Sequence, residues 1–155
     1  MDGHDHGGAT ESRAIMRYIL NKHSKVGGEL LGDSVEAKGR VDQWLEVEAQ
    51  VYNPLCSGIV AEVLFKPMFG GTTDDSKVKE LTEKFEQVLD VYEQHLSKNG
   101  YLAGSFCSMA DISHLPYTDR LFAAGQGSLI QSRKSLSAWW DKISNRSSWK
   151  KVASM

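Results

Sequence analysis

The sequence predicts an all-α domain, and three observations carry that reading. Apolar residues recur at three- and four-residue steps through two long segments, the signature of helices with one buried face. No stretch alternates apolar and polar residues over the length of a strand. Ser108-Met109-Ala110-Asp111 has the form of a capping box, which opens a helix by pairing side chains with the backbone of its first turn.

Bulk properties limit the classes open to such a chain. Its 155 residues suit one compact domain, and 41% hydrophobic with 25% charged residues excludes a disordered protein. A formal net charge of -2 gives no field for nucleic acid or an anionic membrane surface, so neither is expected as a partner. No apolar run approaches the roughly 18 residues of a membrane span. Cys56 and Cys107 sit among apolar neighbours without metal or redox spacing, and the opening MDGHDH is not a signal peptide. Free thiols in a reducing compartment, and hence a cytoplasmic protein, are the expectation.

Residues 1–10 are polar and glycine-rich. A short helix begins at Thr10, running through Ile15, Met16, Tyr18, Ile19 and Leu20 to about residue 23. Residues 24–37 read as a linker. From 38 to 68 a helical stripe of Val41, Trp44, Leu45, Tyr52, Leu55, Ile59, Val63 and Leu64 continues past Pro54, which should kink or unwind it. Gly70-Gly71 end that helix, and Thr72 to Ser76 supply caps for the next. There Val78, Leu81, Phe85, Val88, Leu89, Tyr92 and Leu96 form one face, and Lys and Glu cover the other. The two long helices should pack antiparallel. Beyond the capping box, Cys107 and Ile112 fill the staple positions, and the helix carries on through Pro116 and Leu121. Short helices around 136–144 and 147–152 close the chain.

Several of these strings resemble one family. YLAG at 101–104 with FCSMADISHLPYTDRLF at 106–122 resembles the loop and central helix of the glutathione transferase C-terminal domain. ESRAIMRYI at 11–19 is similar to the last helix of that family's thioredoxin-like N-terminal domain. WLEVEAQVYNP at 44–54, FKPMFGGTTD at 65–74 and VLDVYEQHLSKNGYLAG at 88–104 resemble the plant phi class. The resemblance covers 11–153. It implies a glutathione transferase C-terminal-like helical bundle over 38–155, with 1–23 a remnant of a thioredoxin-like domain that is otherwise missing. It also implies conjugation of the glutathione thiol to small hydrophobic electrophiles, with glutathione as co-substrate and no cofactor, in a protein that is usually dimeric. The serine that holds the thiolate in this class belongs to the N-terminal part, so no catalytic residue is assigned here, and the chain alone should be weakly active or inactive. The alternative is a non-catalytic module that binds hydrophobic ligands or another subunit.

The resemblance also distributes roles. Glu11 and Ser12 imply a grip on the γ-glutamyl end of glutathione, where free helix-start amides already favour an anion. The same pair also reads as a simple cap. Arg13 implies a contact with a carboxylate across a dimer, or else a solvated first-turn charge. Ala61, Phe65 and Phe69, with Tyr117 less strongly, imply an electrophile pocket; the aromatics also suit plain core packing. Ser108 and Asp111 are assigned to folding through the capping box, worth roughly 0.5–2 kcal/mol. His4, His6, Asp2 and Asp5 suit a solvated terminus better than a metal site, so no metal is expected. Without a covering domain, Tyr18, Val41, Phe65 and Phe69 should form an exposed apolar patch.

Overall fold

The computed structural model describes residues 11–155, and the acidic and histidine residues at positions 2, 4, 5 and 6, like Thr10, lie outside them. Among the described residues the chain is helical throughout, and its one β-type pairing is an isolated bridge between Tyr101 and Gly104. Helix α1 (Ser12–Lys22) packs on the bundle through Met16 and Leu20. The expected linker is partly helical, with a single turn α2 (Ser24–Gly27) followed by a 3-10 turn at Gly28–Leu31. Ser34 then caps α3 (Val35–Val47) by accepting from the Ala37 amide at 3.1 Å, three residues earlier than the apolar stripe indicated.

Beyond α3 the chain runs on as one long rod with two widened turns. A π-helical turn at Glu48–Tyr52 leads into α4 (Asn53–Val60), and a second at Ala61–Phe65 leads into α5 (Lys66–Met68). The first ends with the Asn53 amide bonding Glu48 O, and the second with the Lys66 amide bonding Ala61 O, each five residues back. Two residues past each turn stands a proline, Pro54 or Pro67. A proline has no N–H for the carbonyl four residues behind and its ring collides with that carbonyl. The turn before it widens instead, which bends the rod without breaking it.

The rod packs along α6 (Asp75–Leu96), whose start is capped by Asp74 accepting the Lys77 amide at 3.1 Å. Glu62, near the end of the rod, fastens this corner: its carboxylate takes Lys66 at 2.8 Å and Lys77 at 2.7 Å, and these hydrogen bonds hold its pKa down to about 2. Helices α7 (Met109–Ser113) and α8 (Leu115–Ala123) are separate, because Pro116 interrupts at His114 what the sequence read as one helix. Three more, α9 (Ser128–Gln131), α10 (Lys134–Ser144) and α11 (Ser147–Ala153), complete the bundle, with α10 lying on α6 and α9.

The core is aromatic at its centre. Tyr52 meets His114 edge-on with ring centroids 4.6 Å apart and Phe85 at 5.0 Å, while Trp44 meets Tyr92 at 5.1 Å. Polar tips in this cluster are paired: Tyr52 Oη lies 2.8 Å from Thr118 Oγ1, and Tyr92 Oη 3.0 Å from His114 Nε2. His114 Nδ1 lies 2.7 Å from the Ala110 carbonyl, so Nδ1–H donates and Nε2 accepts, which is the neutral ring. Burial pushes its pKa down to about 3.

Asp111 ties the second half together from a fully buried position. It completes the capping box with Ser108, taking the Ser108 amide at 2.8 Å and its hydroxyl at 2.8 Å. Its other oxygen accepts the Leu102 amide at 3.0 Å and Trp139 Nε1 at 2.7 Å. The carboxylate therefore joins the 101–104 loop, the start of α7 and the middle of α10.

One expected surface is placed differently. Val41 is 2% exposed, because Met16 and Leu20 of α1 and Phe106 close over it; the exposed apolar side chains of α1 are Ile15, Tyr18 and Ile19. No helix among the described residues is long and apolar enough to cross a membrane.

The two buried polar hubs set the expected stability behaviour. Asp111→Ala leaves the Leu102, Ser108 and Trp139 donors buried without an acceptor, and urea unfolding should show a loss of about 3–5 kcal/mol. His114 titrates lower folded than unfolded, so the unfolded chain binds the extra proton between about 3 and ~6.5. Stability is complete above that window and declines as pH falls through it, by about 2 kcal/mol between pH 7 and 5. Urea midpoints measured across that range should fall for the natural chain and stay flatter for His114→Gln.

Candidate functional site

The start of α1 has an unusual backbone. Glu11 precedes the helix at φ 71, the one non-glycine residue with positive φ among those described. Such a conformation costs a side-chain-bearing residue on the order of 1–3 kcal/mol and is kept only where its surroundings enforce it. The first-turn amides of a helix have no partner inside it. Glu11 and Ser12 are both exposed at this end, and Glu11 makes no capping bond from its side chain.

Arg13 is held within its own chain. Its Nε donates to Glu48 Oε2 on the first widened turn of the rod, and Glu48 is 3% exposed. Burial pushes the Glu48 carboxyl above its ordinary range even though Arg13 pulls it down, and the hydrogen bond to Glu48 raises Arg13. Of the two readings of Arg13, the solvated first-turn charge gives way to an intrachain ion pair. Arg17, one turn on, reaches Asp42 at 2.6 Å on the surface.

A groove of about 360 Å³ opens beside this pair. Met16 of α1, Ile112 of α7, Pro116 and Tyr117 of α8 and Trp149 of α11 give it apolar walls. Ser12, Arg13, Glu48, Asn53 and Ser113 supply its polar groups. Ser12, Arg13 and Tyr117, three of the residues singled out from the sequence, therefore meet in one concavity. Ala61, Phe65 and Phe69 do not line it. Ala61 is exposed and Phe65 half-buried on the far stretch of the rod, and Phe69, just past the end of α5, is 87% exposed. Core packing, the other reading of the aromatics, therefore describes Phe65 only. Ser108 and Asp111 lie in the capping box, away from the groove.

The neighbouring thiols do not add a nucleophile: burial pushes Cys56 up to about 12 and Cys107 up to about 11. Glu48, Asn53 and Trp149 are groove residues that the sequence did not single out. For Glu48 a signal existed, because it falls four residues after Trp44 and four before Tyr52, an acid set into an apolar stripe.

The helices that build this groove match those of known proteins. The model of the family described as "Glutathione S-transferase, C-terminal domain" matches residues 52–147. The chain belongs to the glutathione S-transferase family. Among curated relatives, Glutathione S-transferase F10 of Arabidopsis thaliana is 51% identical over 144 residues, covering 92% of this chain and 67% of that protein. Glutathione S-transferase 1 of Zea mays is 42% identical over 146 residues, with 94% and 67% covered. Among solved structures, glutathione transferase F2 from Populus trichocarpa superposes with a TM-score of 0.90 at 39% identity, over 94% of this chain and 69% of that one. Maize glutathione S-transferase I in complex with an atrazine glutathione conjugate gives 0.88 at 42% identity, over 94% and 68%. These relatives place the chain with the plant phi-class transferases. It spans about two thirds of the length of the curated relatives it matches.

Removing one partner of the Arg13–Glu48 pair should expose its role. Arg13→Ala leaves a buried carboxylate without its cation and should cost about 3 kcal/mol in urea unfolding. Glu48→Gln keeps an acceptor for Arg13 Nε and should cost less than half of that in the same measurement.

Proposed function

We propose that this transferase-family chain forms the electrophile-binding part of an enzyme that joins the glutathione thiol to small hydrophobic electrophiles, a detoxification and stress-response chemistry. The observation that carries the reading is that Ser12 lies on the rim of the groove, so the helix start and the apolar walls serve one site. Glu11 and Ser12, with the first-turn amides, are the anchor for the γ-glutamyl end of glutathione: the amides and the Ser12 hydroxyl suit its carboxylate, and Glu11 suits its ammonium. The electrophile lies in the groove against Tyr117, with Met16, Pro116 and Trp149 around it. In this reading residues 1–23 belong with a thioredoxin-like domain that carries the thiolate-holding serine, 24–37 form the connection, and 38–155 are the helical domain. The site in this chain binds and orients both reactants, while the serine that holds the thiolate belongs to the thioredoxin-like domain. By itself the chain therefore conjugates weakly or not at all. A homodimer is part of the proposal, although Arg13 is committed to its own Glu48 and its contact across such a dimer would require that pair to be shared.

The groove is walled entirely by this chain's own helices, and that favours a second reading, a module that binds apolar ligands without catalysis. Conjugation of 1-chloro-2,4-dinitrobenzene separates the two. The chain alone should match the buffer rate, whereas a fusion carrying the preceding third of the Arabidopsis relative ahead of residue 11 should exceed it. In that fusion Ser12→Ala should raise the KM for glutathione at least about tenfold, the loss of one or two charge-assisted hydrogen bonds. A folded fusion no faster than buffer would reject the enzyme reading and leave the binding module.

A further inference from the structure

We propose that the concavity between the end of α6 and the start of α10 binds small soluble ligands that carry two linked phosphate groups. It shares no lining residue with the groove beside Arg13, and the inference stands apart from the proposed function. The pocket holds about 350 Å³ and is walled by residues 96–100 and by α10. Lys134, Ala138 and Lys142 fall four residues apart along α10, so they share one stripe of that helix, with the two lysine backbones about 12 Å apart. Ala138 is exposed and small, and leaves the space between them open. Lys98, just past the end of α6, lines the same pocket.

Three ammonium groups converge here without a counter-charge. No acidic residue lines the pocket, and none of the three lysines enters a salt bridge among the described residues. Glu93 of α6 is committed to the first turn of α10, where it accepts the Ser135 and Leu136 amides at 3.0 and 2.8 Å. That carboxylate already answers the helix start, so the attraction for an anion comes from the lysines. Lys142 is positioned by an aromatic ring rather than by an acid, its Nζ lying 5.4 Å from the Tyr101 centroid. The neutral donors beside it are taken: Ser97 Oγ donates to the Gln94 carbonyl at 2.8 Å and Asn99 Nδ2 to the His95 carbonyl at 3.0 Å. The His95 carbonyl also accepts the Lys98 and Asn99 amides at 3.1 Å, so the last turn of α6, whose open carbonyls would repel an anion, is partly satisfied. A cleft walled by one sign of charge concentrates counter-ions even on a chain whose net charge is -2. Lysine supplies point charges with no fixed fork, which suits the several oxygens of phosphate. A single phosphate is small against a row of about 12 Å, whereas two linked groups reach along it.

Isothermal titration of inorganic pyrophosphate into the full chain at low salt tests this without any catalytic step. Saturable binding at one site is expected, weakening severalfold as sodium chloride rises from about 50 to about 200 mM. The triple variant Lys98→Gln, Lys134→Gln, Lys142→Gln should bind at least about tenfold more weakly. Its control, Lys25→Gln, Lys150→Gln, Lys151→Gln, removes the same net charge from exposed positions outside the pocket and should change the affinity less than about twofold. Ala138→Glu, which sets a carboxylate between the lysines on an exposed helix face, should weaken binding more than Ala138→Gln does. All of these side chains are exposed, so the variants should keep the helical circular dichroism and urea midpoint of the natural chain to within a small shift. Orthophosphate should bind at least about fivefold more weakly than pyrophosphate. No saturable heat with the natural chain overturns the proposal, as does an equal loss in the control triple variant. Equal affinity for orthophosphate and pyrophosphate overturns the choice of two linked groups.

Discussion

The second half of the domain depends on one buried carboxylate. Asp111 accepts from the backbone of the 101–104 loop, from the capping serine and from the indole of Trp139, so three elements distant in sequence are fixed by one side chain. Packing alone would leave their relative register loose, since apolar contacts have little direction, whereas charge-assisted hydrogen bonds fix both distance and angle. The position of α7 then sets His114, which continues the polar chain into the aromatic core through Tyr92. The start of α8 and the wall of the groove at Pro116 and Tyr117 depend on that position in turn.

The other determinant is the pair of widened turns. A regular helix through Pro54 would lose its hydrogen bond and collide with the proline ring. The widened turn resolves both problems and, as a consequence, sets Glu48 and Asn53 on the groove side of the rod while Tyr52 stays in the core. Function and local chemistry are thereby linked: Pro54, which bends the helix, is not among the groove residues, yet it places the two polar groups that shape the site. Wide turns of this kind recur at functional sites because they redirect a side chain without ending the helix.

Much of the helical frame was legible in the sequence, for physical reasons that differ by element. The face of α6 was clear because its apolar residues keep the helical period and its polar face is uninterrupted, and the capping box announced α7 because the pairing is local. The break at His114 was hidden because Pro116 is tolerated in the first turn of a helix and so does not say whether it begins one or interrupts one. The groove was only half legible. Ser12 and Tyr117 line it, whereas the aromatics at 65 and 69 lie on a stretch of the rod outside its lining. Spacing along a helix gives which residues share a face, and the second widened turn at 61–65 changes that register beyond what the spacing shows. Trp149 could not be placed at all, because α11 reaches the groove by tertiary packing with no local signal.

The strained residue and the ion pair bear on one another. A positive φ at Glu11, left alone, would relax into a cheaper conformation by rotating the helix start. Arg13, two residues on, is tied to a buried carboxylate on the rod, and Met16 and Leu20 pack against the cluster containing Val41 and Leu45. These contacts hold the rest of α1 in place and so help to keep Glu11 in its strained conformation. The strain is thus balanced by the docking of one helix face, while the opposite face, with Ile15, Tyr18 and Ile19, stays uncovered. The orientation of the helix start relative to the groove is therefore set within this chain, by α1 sitting on the helical domain.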